Sequence, residues 1–231
     1  MTVGSGLFGT QRAATPHLVQ GKGGVAGEVA DLRADVARVL APMANIVVEE
    51  LTNVPAAAAN GIKLAIATVA ATVTYSGAQL DGAVGGGTMS PPRNITVTTA
   101  GSTPADAPAT ATINGVDVNG DVISETITVA QTATIANGVK AFAKVTSIVL
   151  PVADGTDATL AFGFGLVAGL SKKLKARAGN NSLIREIAAG SVVTNGTIVA
   201  AATGLPNGTY SPNSAFNNTN DYAIYYEADA E

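Results

Sequence analysis

Four runs rich in threonine, valine and isoleucine constrain this chain more than any other feature of its sequence. β-Branched residues favour extended strands, and turn residues separate each run from the next. We therefore predict four consecutive strands, and the runs are Arg93–Thr99, Ala109–Val118, Val122–Val129 and Lys140–Leu150. Asn119-Gly120 joins the second run to the third, and this dipeptide can adopt the positive φ angles of a type I′ hairpin turn.

The second run changes its inward parity part of the way along. Ala111 and Ile113 share one face of a strand, whereas Val116 and Val118 fall on the opposite face. One extra residue between the two pairs would return the later pair to the first face. We therefore predict a β-bulge at Asn114-Gly115.

Shorter strand patterns lie on both sides of these four runs. We predict further strands at Ile46–Leu51, Lys63–Tyr75, Leu170–Ala176, Ser182–Ala188, Val192–Ala201 and Tyr222–Ala228. Leu160, Phe162 and Phe164 alternate along the chain, which places three large side chains on one strand face. Gly163 and Gly165 fall on the opposite face, where the missing side chains admit a second backbone.

Turn residues are expected to separate these strands. The predicted turns and loops are Ala56–Gly61, Leu80–Pro92 and Leu205–Asn213. Asn-Gly occurs six times, at 60, 114, 119, 137, 195 and 207, and this favours antiparallel connections over crossover helices. The sequence therefore predicts a mainly β fold, an antiparallel β-sandwich or jelly-roll-like domain over residues 45–231. An internal boundary at residues 82–92 is left open.

An extended arm and one amphipathic helix are predicted ahead of the β domain. Residues 1–27 are rich in glycine and have no periodic apolar pattern, so we expect an arm that is disordered or ordered by a partner. Residues 28–44 have the three- and four-residue apolar spacing of a helix, which packs on the β domain or on another subunit. The expected assembly contacts are Leu7, Phe8, Val29, Leu32, Val36, Val39 and Leu40.

Composition narrows the classes of partner. Charged residues make up 13% of the chain, about half the usual ~25%, which suits a protein whose faces are covered by neighbours. The net charge of −4 gives no basic footprint for nucleic acid or an anionic membrane. The short basic cluster Lys172–Arg177 is interpreted as a solvated strand face, or as a contact with an acidic neighbour. No signal peptide is expected at the N-terminus, and the apolar stretch Ile62–Val73 is too short to span a bilayer.

Residues that carry chemistry are sparse and scattered. The chain has no cysteine, and its only histidine is His17 in the predicted arm. Lys22–Gly27 has glycines like those of a phosphate-binding loop but lacks its closing Gly-Lys-Ser/Thr. Glu49 and Glu50 are adjacent in a predicted strand, so they point to opposite faces and cannot share a substrate. We therefore predict no enzyme activity and no cofactor.

One segment has the opening spacing of a calcium-binding loop. Asp117-Val118-Asn119-Gly120-Asp121 supplies oxygen ligands at alternate positions, as such loops do. Val122 stands where the loop needs glycine, and Thr128 stands where it needs an acid. A hairpin turn explains the segment better than a metal site.

Several segments, taken in order, resemble a family of tailed-bacteriophage virion structural proteins. The resemblance covers roughly residues 90 to 230, and the segments are Ser90–Val97, Asp117–Val129, Lys140–Ile148, Leu205–Tyr210 and Asp221–Glu227. It implies a virion component and brings no catalytic residues. The arm and the predicted helix show no such similarity.

The resemblance implies a structural role in the phage particle. The leading expectation is a capsid decoration or stabilisation protein, a homo-oligomer that binds the major capsid protein or other virion proteins, with a trimer favoured. Such a protein is made in the host cytoplasm and resides on the particle surface. The alternatives are a neck, collar or tail component and a fibre or spike module that binds a host glycan or receptor.

Overall fold

A computed structural model describes residues 45–175, 182–200 and 207–229. Within those ranges the chain forms thirteen strands and two short 3-10 turns. The strands are β1 (Ile46–Leu51), β2 (Ala58–Ala67), β3 (Val73–Ser76), β4 (Thr88–Gly101), β5 (Thr110–Val116), β6 (Val122–Thr128), β7 (Ile135–Leu150), β8 (Ala158–Gly169), β9 (Leu183–Ala188), β10 (Ser191–Val193), β11 (Thr197–Val199), β12 (Thr209–Ser211) and β13 (Tyr222–Glu227). The prediction of a mainly β fold is confirmed.

The strands form two antiparallel sheets. A nine-stranded sheet has the order β11-β12-β8-β4-β7-β5-β6, with β2 also paired to β8 and β3 also paired to β7. Together with the second sheet, it forms a curled half-barrel. A four-stranded sheet has the order β1-β13-β9-β10. Every pairing between the described strands is antiparallel, as the sequence predicts.

Two hydrophobic cores stabilise the sheets. The first core is formed by side chains of the nine-stranded sheet and its loops, and it contains Leu160, Phe162 and Phe164 as the alternation predicts. The second core joins side chains of the four-stranded sheet to those of β8 and β12, so both sheets contribute to it. Tyr210 of β12 and Tyr226 of β13 are fully buried there. The chain has few aromatic residues, but most of them lie in these two cores, where burial of their large side chains stabilises the fold.

Gly163 lets two backbones approach closely, as predicted. A Cβ atom at this position of β8 would overlap the backbone of Ala58 and Ala59 in β2. Any larger residue would therefore push β2 away from β8. The same segment shows that the prediction of a turn at Ala56–Gly61 is wrong, because β2 begins at Ala58.

The β5–β6 hairpin is confirmed, but the predicted turn type is wrong. Of its two turn residues, Gly120 has a positive φ of 85°, whereas Asn119 does not have a positive φ. The Asp117 side chain explains the difference, because its Oδ1 accepts hydrogen bonds from the backbone N–H of Asn119 (2.8 Å) and Asp121 (3.0 Å). The backbone N–H of Gly120 also donates to the carbonyl of Asp117, which closes a turn over Val118 and Asn119 and leaves Gly120 as its one residue of positive φ.

A bulge is present beside Asn114-Gly115, but the extra residue is not in β5. The register of β5 on β7 shifts there, from Asn114 opposite Ser147 to Gly115 opposite Val145, so the extra residue belongs to β7. The buried face of β5 therefore continues through Gly115 and does not pass to Val116. Gly115 can take an inward position because it has no Cβ atom. A Cβ atom there would overlap the backbone of β7.

Other predicted segments also differ from the structure. The predicted strand at Lys63–Tyr75 is divided between β2, which ends at Ala67, and β3, which begins at Val73. The predicted loop at Leu80–Pro92 ends early, since β4 begins at Thr88. Its prolines lie where the pairing of β4 with β7 is irregular, and fewer backbone N–H donors are needed there. The predicted loop at Leu205–Asn213 contains β12, because Tyr210 is buried and pairs with Ala168. The predicted strand at Leu170–Ala176 is reduced to one bridge at Leu174, within the described residues.

Asn-Gly dipeptides serve several purposes in this fold. Asn119-Gly120 lies in a hairpin turn, whereas those at 60, 114 and 137 lie inside β2, β5 and β7. Asn195-Gly196 lies where the chain crosses from β10 in one sheet to β11 in the other, so the predicted strand Val192–Ala201 is split. The antiparallel conclusion is therefore correct, although most of these dipeptides are not tight turns between paired strands.

Candidate functional site

Arg93 is a buried cation between the two cores. Its guanidinium lies 5.2 Å from the ring centroid of Phe164 in the first core and 4.9 Å from that of Phe216 in the second. Nε donates to the carbonyl oxygen of Gly165 at 2.8 Å, and Nη1 donates to that of Pro55 at 2.9 Å. Burial lowers the pKa of Arg93 to about 10. This side chain therefore joins the two cores through rings and backbone carbonyls.

Arg93 and Asn94 replace hydrogen bonds that a strand irregularity removes. The pairing of β4 with β8 shifts between Arg93 and Ile95, which leaves residues 165–167 of β8 outside the regular ladder. Arg93 binds the carbonyl of Gly165, and Asn94 Oδ1 accepts from the N–H of Val167 at 3.0 Å. Buried backbone groups need such partners. Both polar side chains are therefore explained by the fold.

Two buried glutamates are likewise engaged with the backbone. Glu125 of β6 accepts from the N–H of Val139 at 2.6 Å, which ties the edge strand of the half-barrel to the start of β7. Glu186 of β9 is fully buried and accepts from the N–H of Gly196 at 2.6 Å, at the crossing between the sheets. Burial, and then the neighbouring Glu186 carboxylate, raise the pKa of Tyr210. These carboxylates stabilise connections and do not converge on a common site.

Two lysines of the basic cluster form ion pairs with acidic residues of the same chain. Lys173 lies 2.8 Å from Asp229, and Lys175 lies 2.5 Å from Glu227. The functional interpretation of this cluster as a contact with an acidic partner is therefore not needed for these two lysines. Arg177 lies outside the described residues.

Acidic residues in the described ranges do not assemble into a metal centre. No group of three His, Cys, Asp or Glu side chains there is placed to hold a metal ion. Asp117 is engaged in the hairpin turn, as the turn interpretation of the calcium-like spacing requires. Glu49 accepts from Ser171, and Glu50 is exposed, so the two adjacent acids do not form a pair. None of the described helices is both long and apolar enough to cross a membrane.

An uncharged groove lies on the nine-stranded sheet, on the face opposite the first core. Its volume is about 580 Å³, and β2, β4, β7 and β8 all contribute to its lining. Ile135 and Val139 are exposed at its rim by 49% and 63%, while Asn94, Thr96 and Asn137 supply its polar groups. Its chemistry suits an uncharged segment of a partner chain.

A second surface lies on the four-stranded sheet, on the side away from the second core. We call it the outer sheet face, and its members are Val48, Glu50, Arg185, Ile187, Val192 and Tyr225. Val48 and Val192 are exposed by 45% and 66%. An apolar strand face turned to solvent is a signal for an interaction site. A depression of about 340 Å³ lies at its Glu50 end.

The expected assembly contacts cannot be placed on either surface. Leu7, Phe8, Val29, Leu32, Val36, Val39 and Leu40 lie outside the described residues, as do the whole predicted arm and the predicted helix up to residue 44. The arm, the helix, the domain boundaries and these contacts remain predictions.

Sequence reasoning missed the part that Arg93 plays and both surfaces. The signal for Arg93 was present, because it shares the inward parity of Ile95 and Val97 along β4. A cation at an inward position of an apolar strand must find buried partners. The outer sheet face had no such signal, since its members come from four segments that are distant in sequence.

Comparison with known proteins adds no relative. No protein-family model, curated protein or solved structure matches the chain.

Proposed function

We propose that the chain is a structural protein of a tailed-bacteriophage virion, and specifically a decoration or stabilisation protein bound to the head shell. The order of segments between residues 90 and 230 that resemble this family supports the assignment. The observation that carries it is the outer sheet face, where Val48 and Val192 are exposed beside one acid and one base. By contrast, the buried Arg93, Glu125 and Glu186 bond to the backbone of the fold. A chain built in this way serves assembly, and catalysis is not part of the proposal.

The finer fold assignment belongs to the same proposal. The second core receives side chains from both sheets, which is how the two layers of a β-sandwich are joined. We assign the domain to the sandwich class, with a nine-stranded layer curled around a core of its own.

Location in the particle is testable by stoichiometry. In virions of a phage that encodes this chain, quantitative mass spectrometry should find it in proportion to the major capsid protein. A few copies per particle would favour the neck, collar or tail alternative. Absence from purified virions would contradict the proposal altogether.

The host-binding alternative receives less support from the surface. Glycan sites favour exposed aromatic rings, and Tyr210, Tyr222 and Tyr226 are all buried in the second core. Tyr225 is half-exposed and is the one of these four that could stack on a sugar. Binding of purified protein to host cells that Tyr225→Ala abolishes would favour the fibre or spike alternative.

Attachment to the particle is proposed to depend on residues 1–25. Ordering a glycine-rich segment costs ~1–2 kcal/mol per residue in backbone entropy, so a partner must supply the compensating contacts. Deletion of residues 1–25 should leave the β domain folded and soluble but prevent its incorporation into virions. Incorporation at the wild-type copy number would show that the β domain makes the decisive contacts.

A further inference from the structure

The outer sheet face combines apolar side chains with one acid and one base. Strand registers place Val48, Tyr225 and Arg185 in one row across β1, β13 and β9. The next row contains Glu50 of β1 and Ala223 of β13, followed by Ile187 of β9 and Val192 of β10. The opposite charges therefore lie on different rows and different strands, with apolar residues between them.

This arrangement is complementary to itself. When two copies of such a face meet across a two-fold axis, Glu50 of each copy can approach Arg185 of the other. The apolar residues of both copies then cover one another, and neither charge is buried without an opposite charge. An isologous interface requires self-complementarity of this kind.

We propose that a second copy of this chain covers the outer sheet face through the same face. The proposal rests on the proposed function, since a homo-oligomeric assembly protein binds further copies of its own chain. It concerns self-association of the purified protein, so it can fail while attachment to a virion holds, and the reverse.

The area of the outer sheet face limits the affinity expected for the dimer. Six residues at about 3.3 Å and four strands at about 4.8 Å give roughly 400 Å² of projected area at most. This is about half of the ~800 Å² that each partner buries in a standard specific interface, and it places the contact among weak, transient ones. We therefore expect a weak dimer that dissociates on dilution below about millimolar concentration.

Mass measurement by light scattering over a dilution series is the first test. The wild-type protein should pass from dimer to monomer, and Val48→Asp and Val192→Asp should each weaken dimerisation at least tenfold. Val122→Asp is the matched control, because Val122 is 86% exposed on β6 of the other sheet, and it should leave dimerisation unchanged. Circular dichroism of each variant shows whether the fold is retained.

Charge reversal tests the pairing itself. Glu50→Arg and Arg185→Glu should each weaken the dimer, since each places like charges opposite one another, and the double variant should restore it. The three affinities form a double-mutant cycle with the wild type, and a coupling between Glu50→Arg and Arg185→Glu that is absent between Glu50→Arg and Lys144→Glu identifies the pair.

Three results would overturn the proposal. One is a wild-type protein that stays monomeric at millimolar concentration. The second is a trimer, because an isologous contact closes with two copies and the trimer expected from the sequence needs a different contact. The third is a dimer that Val48→Asp and Val122→Asp affect equally.

Discussion

Arg93 Nε donates a hydrogen bond of 2.8 Å to the carbonyl oxygen of Gly165. A side chain of β4 thus satisfies a backbone group of β8 where the ladder between the two strands is irregular. The two cores meet at this point, since the guanidinium also contacts a ring from each. The junction between the two cores therefore depends on one cation.

Replacing this cation should destabilise the protein strongly. We expect Arg93→Met to lower the free energy of unfolding by about 2–4 kcal/mol, because the buried carbonyl of Gly165 loses its donor and the part-buried bond to the carbonyl of Pro55 is lost as well. Arg93→Lys should recover only part of the loss, since an ammonium group lacks the planar fork. Urea denaturation measures both, and exposed Lys144→Met should change stability by less than about 0.5 kcal/mol. Wild-type stability in Arg93→Met would contradict this role.

Adding one methyl group between β2 and β8 should also be costly. We expect Gly163→Ala to lower the free energy of unfolding by about 1–3 kcal/mol, since the new Cβ would overlap the backbone of Ala58. Gly86→Ala is the control, because a Cβ there would meet its nearest neighbour at 3.5 Å, an ordinary contact. Thermal unfolding compares the two variants, and equal midpoints would mean that β2 does not pack on Gly163 in solution.

The β5–β6 hairpin should depend on the Asp117 carboxylate. Asp117→Ala removes the acceptor for two backbone N–H groups, and we expect it to cost about 1–2 kcal/mol. Asp117→Asn keeps an acceptor oxygen, so its loss should be smaller. Exposed Asp121→Ala controls for the loss of a charge in the same turn. Chemical denaturation ranks the three variants, and equal effects of Asp117→Ala and Asp121→Ala would contradict the turn assignment.

Alkaline pH should weaken the fold through Tyr226. Burial, and then the nearby Glu49 carboxylate, raise the pKa of Tyr226 to about 12. A folded pKa above the usual value of about 10 means that the neutral phenol favours the folded state below pH 10. This contribution is lost as the pH rises from 10 to 12.

The matched comparison for that pH effect is Tyr226→Phe. At pH 8 we expect this variant to be about 1 kcal/mol less stable than wild type, because the hydroxyl accepts from the N–H of Lys172. The difference should narrow above pH 10, where the wild type alone loses the contribution of this phenol. Half-exposed Tyr225→Phe should change stability at pH 8 by less than about 0.5 kcal/mol. Urea denaturation at several pH values measures these differences, and a gap that widens with pH would contradict the assignment.

Alternation of large side chains made part of the fold predictable. Leu160, Phe162 and Phe164 identified the inward face of β8, because burial of such side chains dominates strand orientation. β12 was missed since Tyr210 follows Pro206 and Gly208, whose local turn preference is overridden by burial in the second core. A local sequence pattern indicates only the local conformational preference of the chain. β12 has only three residues, so its formation depends on pairing with β8, which is distant in sequence.

The candidate surfaces were less predictable than the strands. The outer sheet face draws on β1, β9, β10 and β13, so its composition depends on strand order, which sequence alone left open. Val48 and Val192 look like core residues in isolation. Only the register reveals that both point away from the second core.

The pairing of β1 with β13 also determines how this edge responds to force. Ile46, where the chain enters β1, lies opposite Glu227, where it leaves β13, and Leu51 lies opposite Tyr222 at the far end. Tension applied between Ile46 and Glu227 would load the residue pairs one after another, because antiparallel hydrogen bonds run perpendicular to the strands. The ladder would therefore open like a zipper at low force, instead of resisting as a set of bonds sheared together.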